Sequence, residues 1–148
     1  MKILVINGPN LNFLGIRERE IYGEDNYDSL IARIRHKAEE DGDEVICFQS
    51  NHEGAIIDRI QEAYFDGTEG IVINPGAYTH YSYAIHDALK SVAQIIKVEI
   101  HISDIASREE FRHHSVTAPA CDAQIVGHGL QGYLEAIDLI KDLKNKTE

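Results

Sequence analysis

Five short apolar-rich runs set narrow limits on how this chain can fold: Ile3–Ile6, Val45–Phe48, Ile71–Ile73, Ile95–Ile100 and Ala123–Val126. A strand with one wet face alternates apolar and polar residues, whereas a strand covered on both faces reads as a continuous β-branched run. The runs therefore predict strands buried on both faces. Between them apolar residues recur at helical spacing. Leu30, Ile31, Ile34 and Ala38 share one face, and Gly42 is placed to end that helix. Ile56, Ile57, Ile60 and Tyr64 form the next face, stopped near Gly67. A third helix is expected over about Tyr81 to Ser91 and a fourth over about Leu130 to Lys144. Ser107-Arg108-Glu109-Glu110 reads as a capping box that opens one short extra helix.

Strands that alternate with helices imply right-handed crossovers and helices on both faces of a parallel sheet. The expected fold is α/β: a three-layer sandwich with a flavodoxin-like five-stranded parallel sheet in the order 2-1-3-4-5. The 148 residues show no linker, repeat or low-complexity tract, so one domain spanning 1–148 is expected. The stretch from Gly8 to Tyr27 is about three times longer than an ordinary strand-to-helix connection. It is rich in arginine, asparagine and glycine and follows a strand's C-terminal end, where ligands bind in such sheets. A mobile active-site lid over about residues 12–25 is the expectation.

Polar residues able to do chemistry repeatedly follow a strand: Asn7 and Asn10, then Asn74 and His80, then His101 and Ser103. In a parallel sheet these strand ends lie on one edge, so the side chains should converge. The strand period of two puts Lys97, Glu99 and His101 on one face. Glu99 can then fix the tautomer of His101 and raise its basicity. A Lys97–Glu99–His101 cluster that only satisfies buried groups reads equally well at this point.

Twenty-five acids against 14 bases give a formal charge of −11, the opposite of what a phosphate-backbone binder needs, so nucleic acid is not an expected partner. A few arginines in a cleft can still make a local field that attracts a small anion. The first apolar run is too short for a signal peptide or membrane span, which makes a cytoplasmic protein without membrane association the default expectation. Cys47 and Cys121 stand far apart with no CxxC spacing, and Cys47 lies in an apolar run that predicts a buried thiol.

Several longer blocks carry a resemblance. Ile6-Asn7-Gly8-Pro9-Asn10-Leu11-Asn12-Phe13-Leu14-Gly15, with Arg17-Glu18 and Tyr22-Gly23, opens it. It continues through Asn74-Pro75-Gly76-Ala77-Tyr78-Thr79-His80, Glu99-Ile100-His101-Ile102-Ser103, Arg108 to Ser115, and Gly127-His128-Gly129 to Gly132-Tyr133. In order and over nearly the whole chain, these blocks resemble the type II 3-dehydroquinate dehydratases. The resemblance implies dehydration of 3-dehydroquinate to 3-dehydroshikimate without cofactor, metal or Schiff base. It implies Tyr22 as the base, Arg17 as the cation that lowers the tyrosine pKa, and Asn10 as holder of a water that stabilises the enolate. His101, paired with Glu99, would protonate the departing hydroxyl. Asn74, His80, Ile102, Ser103 and Arg112 would bind the substrate's hydroxyls and carboxylate, and Asp87 would reach a neighbouring subunit's site. The implied assembly is a trimer, commonly four per homododecamer.

The chain departs from the resemblance at Arg19, where the family has proline, at Asp104, where it has asparagine, and at Asp122, where it has a small residue. An acid at 104 would weaken carboxylate binding unless its side chain points away. Arg112 could instead form a surface ion pair with Glu109 or Glu110. Three rivals fit less well. The eight histidines form no HExxH or comparable ligand spacing for a metal-dependent hydrolase. Gly8-Pro9-Asn10-Leu11-Asn12 lacks the exposed N–H groups of an FMN or phosphate cradle. No lysine reads as a desolvated amine awaiting a carbonyl.

Overall fold

The computed structural model describes residues 1–16 and 25–147. Five strands, β1 (Lys2–Asn7), β2 (Glu44–Gln49), β3 (Gly70–Asn74), β4 (Ile96–His101) and β5 (Ala123–Val126), coincide with the five apolar runs. They pair in parallel in the order β2-β1-β3-β4-β5, as the alternation predicts. The helices are α1 (Tyr27–Asp41), α2 (Glu53–Phe65), α3 (Tyr83–Ser91) and α4 (Gln131–Thr147).

Alternate residues of the central strands feed two cores, one on each face of the sheet. Ile3, Val5, Val72, Val98 and Ile100 pack with Leu30 and Ile34 of α1 and with Tyr133, Ala136, Ile137 and Ile140 of α4. Leu4, Ile6, Ile71 and Ile73 pack with Ile56, Ile60 and Ala63 of α2 and with Ile85, Ala88 and Leu89 of α3. Burial on both faces holds for β1, β3 and β4. β2 lies at the sheet edge and is only partly covered, so Cys47 is half-buried rather than enclosed.

The helix ends follow from local chemistry. Asn26 and Ser29 form the capping box of α1, with Asn26 Oδ1 accepting from Ser29 N at 2.8 Å. Gly42 closes that helix at φ 72°, in the left-handed region that glycine tolerates. Ser82 caps α3 by accepting from Ile85 N, so the helix starts two residues later than the periodicity predicts. In α2 the buried face is Ile56, Arg59, Ile60 and Ala63, while Tyr64 is 55% exposed. At 100° per residue Tyr64 lies about 80° from Ile56, on the margin of the core-facing stripe, and Ala63 takes the inner position.

The segment 104–112 corrects one expectation. No capping box forms at Ser107–Glu110; two 3-10 turns, Ile105–Ser107 and Glu110–Arg112, replace the single helix. Asp104 caps the first by accepting from Ala106 N at 3.0 Å, and the Ser107 hydroxyl donates to the Asp104 carbonyl instead of capping onward.

After β1 the chain does not run free at once. A 3-10 turn, Leu11–Phe13, and Leu14 behind it are pinned to the core by burial of Leu11 and Leu14. The proposed lid over 12–25 therefore begins on an anchored turn, and its residues 17–24 lie outside the described residues. Gly8 packs so closely on the loop after β3 that an added Cβ would stand 2.5 Å from the Pro75 carbonyl oxygen. The Gly8 N–H also donates to the Asn74 carbonyl at 2.8 Å. The loops after β1 and β3 thus form one continuous rim at the C-terminal edge of the sheet.

Candidate active site

Behind that rim lies a cleft at the C-terminal ends of β1, β3 and β4. Seven residues expected from the sequence line it together: Asn10, Asn74, His80, His101, Ile102, Ser103 and Arg112. Asp87 does not line it; that residue is exposed on α3. Arg17, Arg19 and Tyr22 lie outside the described residues. Arg108, to which sequence reasoning assigned no role, also lines the cleft. No carboxylate does so among the described residues, although the chain as a whole carries a charge of −11. Arg108 and Arg112 bring cationic groups to this lining, and a small anion is the ligand it favours.

His101 and Glu99 sit at the end of β4, both buried, with His101 Nε2 2.8 Å from Glu99 Oε2. A carboxylate only accepts, so Nε2 carries the proton and Nδ1 is the ring nitrogen left for the cleft. Burial alone would raise the Glu99 pKa. The hydrogen bond and charge of His101, with the Thr117 and Ser115 hydroxyls, outweigh that penalty and hold it below the usual range. Gln124 of β5 adds a further N–H donor at 2.8 Å.

Lys97 takes no part in this pair. Its ammonium is buried and donates to the Val92 and Ile95 carbonyls at 3.1 and 2.8 Å, and burial pushes its pKa down. Asp122 now has a structural account: its carboxylate accepts from Lys97 N at 2.7 Å, while its own N–H donates to the Lys97 carbonyl. Both contacts lie at the end of β5 away from the cleft.

Asn74 is held from behind. Its Nδ2 donates to the Tyr133 hydroxyl at 2.9 Å, and that hydroxyl donates to Asn7 Oδ1 at 2.6 Å. Its Oδ1 accepts from Gly76 N at 3.1 Å. Tyr133 is fully buried at the start of α4, and the sequence reading assigned it no polar task. Asn10 adopts φ 69° and donates its N–H to Asn51 Oδ1 at 3.0 Å. This left-handed turn re-aims the chain over the cleft, and asparagine tolerates it better than most residues.

His80 donates from Nδ1 to the His114 carbonyl at 2.8 Å. Burial is the largest cause lowering its pKa, with Arg112, His101 and Arg108 adding repulsion. Neutral His80 thus keeps Nε2 as an acceptor for a ligand hydroxyl. His113 binds the Arg108 carbonyl at 2.9 Å, and neither His113 nor His114 lines the cleft. Arg112 pairs with Glu109 and stacks over Phe111 with its guanidinium carbon 4.6 Å from the ring centroid. The surface ion pair and the cleft position are therefore compatible. Asp104 turns its carboxylate to Ala106 N and does not line the cleft, which removes it from the path of an anionic ligand.

Comparison with known proteins bears on the family of the whole chain. The chain is 65% identical over 146 residues, covering 99% of both chains, to a protein of Lachnospira eligens named 3-dehydroquinate dehydratase. It is 59% identical over 142 residues to one of the same name in Caldicellulosiruptor bescii, covering 96% of this chain and 97% of that one. The crystal structure of a type II dehydroquinase from Butyrivibrio crossotus superposes with a TM-score of 0.95 at 67% identity, covering 95% of this chain and 97% of that one. One from Propionibacterium acnes gives 0.88 at 45% identity, covering 95% and 96%. A family model described as dehydroquinase class II matches residues 1–141. The chain belongs to the type II dehydroquinase family.

Proposed function

We propose that this enzyme dehydrates 3-dehydroquinate to 3-dehydroshikimate through an enolate, with Tyr22 as base and His101 as acid. The observation that carries the reading is the buried Glu99–His101 pair at the floor of a cleft lined by Arg108 and Arg112. Eliminating water from a β-hydroxy ketone needs a base at the carbon next to the carbonyl, stabilisation of the enolate, and a proton for the leaving oxygen. His101, held by Glu99 through Nε2, would deliver the proton to the departing hydroxyl from Nδ1. Asn10 would hold the water that meets the enolate oxygen. Asn74, His80, Ile102 and Ser103 would bind the hydroxyls and, with Arg112, the carboxylate.

Tyr22 and Arg17 are assigned by resemblance alone. A free tyrosine titrates near ~10, and lowering that by two pH units takes about 2.7 kcal/mol of interaction with a cation. A guanidinium supplies this in a cleft shut from water. The reading needs no metal or Schiff base. In its support, no lysine among the described residues lines the cleft.

We also propose trimers assembled into a homododecamer, with Asp87 meeting a neighbouring subunit's site, in the cytoplasm. Exposed Tyr64, Phe65, Tyr81 and Tyr83 support self-association, since burying them would remove apolar surface from water. Among the described residues no helix is long and apolar enough to cross a membrane.

The test is an ultraviolet assay for the conjugated enone formed from 3-dehydroquinate, run with and without chelator. Chelator-insensitive turnover by the wild type, lost by orders of magnitude in Tyr22→Phe and Arg17→Ala with the fold intact, is the expected result. Near wild-type turnover by Tyr22→Phe would refute the assigned base. Light scattering checks assembly, where fully active monomers would refute the role given to Asp87.

A further inference from the structure

Glu99 has no exposure to water, and it is ringed by hydroxyls to which the reaction as described assigns no role. Thr117 Oγ1 donates to Glu99 Oε1, and Ser115 Oγ donates to Glu99 Oε2 at 2.8 Å. Thr79 Oγ1 lies 2.7 Å from Ser115 Oγ and 2.8 Å from Thr117 Oγ1 and closes the ring behind them. Three separate segments supply these groups: the turn after β3, the loop before β5, and β4 itself.

Counting protons assigns the directions. An ionised carboxylate accepts only, so Ser115 and Thr117 each spend their single hydroxyl proton on Glu99. Ser115 Oγ also accepts from Ala118 N at 3.0 Å, and the single Thr79 proton goes to Ser115 or to Thr117. Two donors then converge on one carboxylate, Thr117 on Oε1 and Ser115, itself accepting from Ala118 N–H, on Oε2, with Thr79 behind both. Each donor strengthens the next.

We propose that Thr117 and Ser115 are positioning residues of the reaction: they fix the plane and the charge of Glu99, and through it the orientation of His101. This rests on His101 being the proton donor. Without these hydroxyls the carboxylate could rotate or take up a proton, and His101 would lose the partner that aims Nδ1 into the cleft.

Other titratable groups are few here. On β4, His101 is the partner, and Lys97 is turned to the Val92 and Ile95 carbonyls. From the segment entering β5 comes the Cys121 thiol, pushed up by burial and by the Glu99 charge. The neighbours in register on β3 and β5 are Ile73 and Gln124, neither of which titrates. Across the cleft, His80 interacts with His101.

The experiment follows steady-state turnover of 3-dehydroquinate against pH for Thr117→Val, Ser115→Ala and Thr117→Ser. Removing one charge-assisted hydrogen bond should lower kcat roughly tenfold or more, with KM nearly unchanged. The acid limb of the kcat profile should also move to higher pH. Thr117→Ser should restore both, and Ser115→Ala carries the test if Thr117→Val fails to fold. Lowered melting temperatures with wild-type kcat and an unmoved acid limb in both deletions would make the ring purely structural and overturn the proposal. His101→Ala is the control for the underlying reading. A wild-type rate there removes the proton donor itself and takes the proposal with it, whereas a dead His101→Ala beside an unperturbed Thr117→Val sinks the proposal alone.

Discussion

At the scale of single residues, Glu99 ties stability to pH. Its folded pKa lies below the unfolded value of about 4.3, so the unfolded chain binds more protons as pH falls through that range. The stability it contributes is complete above the unfolded value and is lost as pH drops through the folded one. Urea unfolding of Glu99→Gln should therefore show a shallower loss of stability between about pH 5 and 3 than the wild type. Equal slopes would mean that Glu99 is not held as an anion. Tyr133→Phe removes the hydroxyl that joins Asn7 to Asn74 and leaves both amides under-bonded. It should cost about 1–3 kcal/mol in denaturant titration and raise KM more than it lowers kcat. The Glu99–His101 pairing was legible from a two-residue spacing, because a strand puts both side chains on one face. Its companions were not, since Thr79, Ser115, Thr117 and Gln124 come from distant segments with no periodicity joining them. Tyr133 was hidden for a different reason: a buried tyrosine in a helical pattern looks apolar.

At the scale of elements, the rim of the cleft depends on close backbone approach between the loops after β1 and β3. Gly8→Ala would place a methyl 2.5 Å from the Pro75 carbonyl oxygen, a backbone atom that cannot swing aside. The variant should lose about 1–3 kcal/mol of stability and bind substrate more weakly, read by denaturation and by KM. An unchanged KM would show that the rim does not shape the site. The strands were readable because three of the five are covered on both faces and so carry unbroken apolar runs. The segment 104–112 was misread because Ser107-Arg108-Glu109-Glu110 satisfies the capping-box pattern while Asp104, three residues earlier, takes the capping role. A short polar side chain beside a tight turn outcompetes a helix start that has no apolar face to bury. The α3 boundary slipped for a similar cause, with Ser82 as the decisive cap.

At the scale of the whole molecule, two fields oppose each other. The chain carries −11, yet its cleft is lined by Arg108 and Arg112 and by no carboxylate among the described residues. If the local field governs capture of an anion, raising ionic strength should lower kcat/KM several-fold while leaving kcat nearly constant. A rise in kcat/KM with salt would mean that the acidic shell dominates instead. The composition alone warned against nucleic acid but did not locate this basic patch, because the two arginines are interleaved with acids in sequence, and the acid that pairs with Arg112, Glu109, stays out of the cleft lining. The central claim is that an imidazole backed by a buried carboxylate delivers the proton to the leaving hydroxyl. The most direct measurement is enone formation from 3-dehydroquinate by His101→Ala across a range of pH. Turnover reduced by about a hundredfold or more at every pH, with the fold intact by circular dichroism, is the predicted result; a rate near that of the wild type would contradict it.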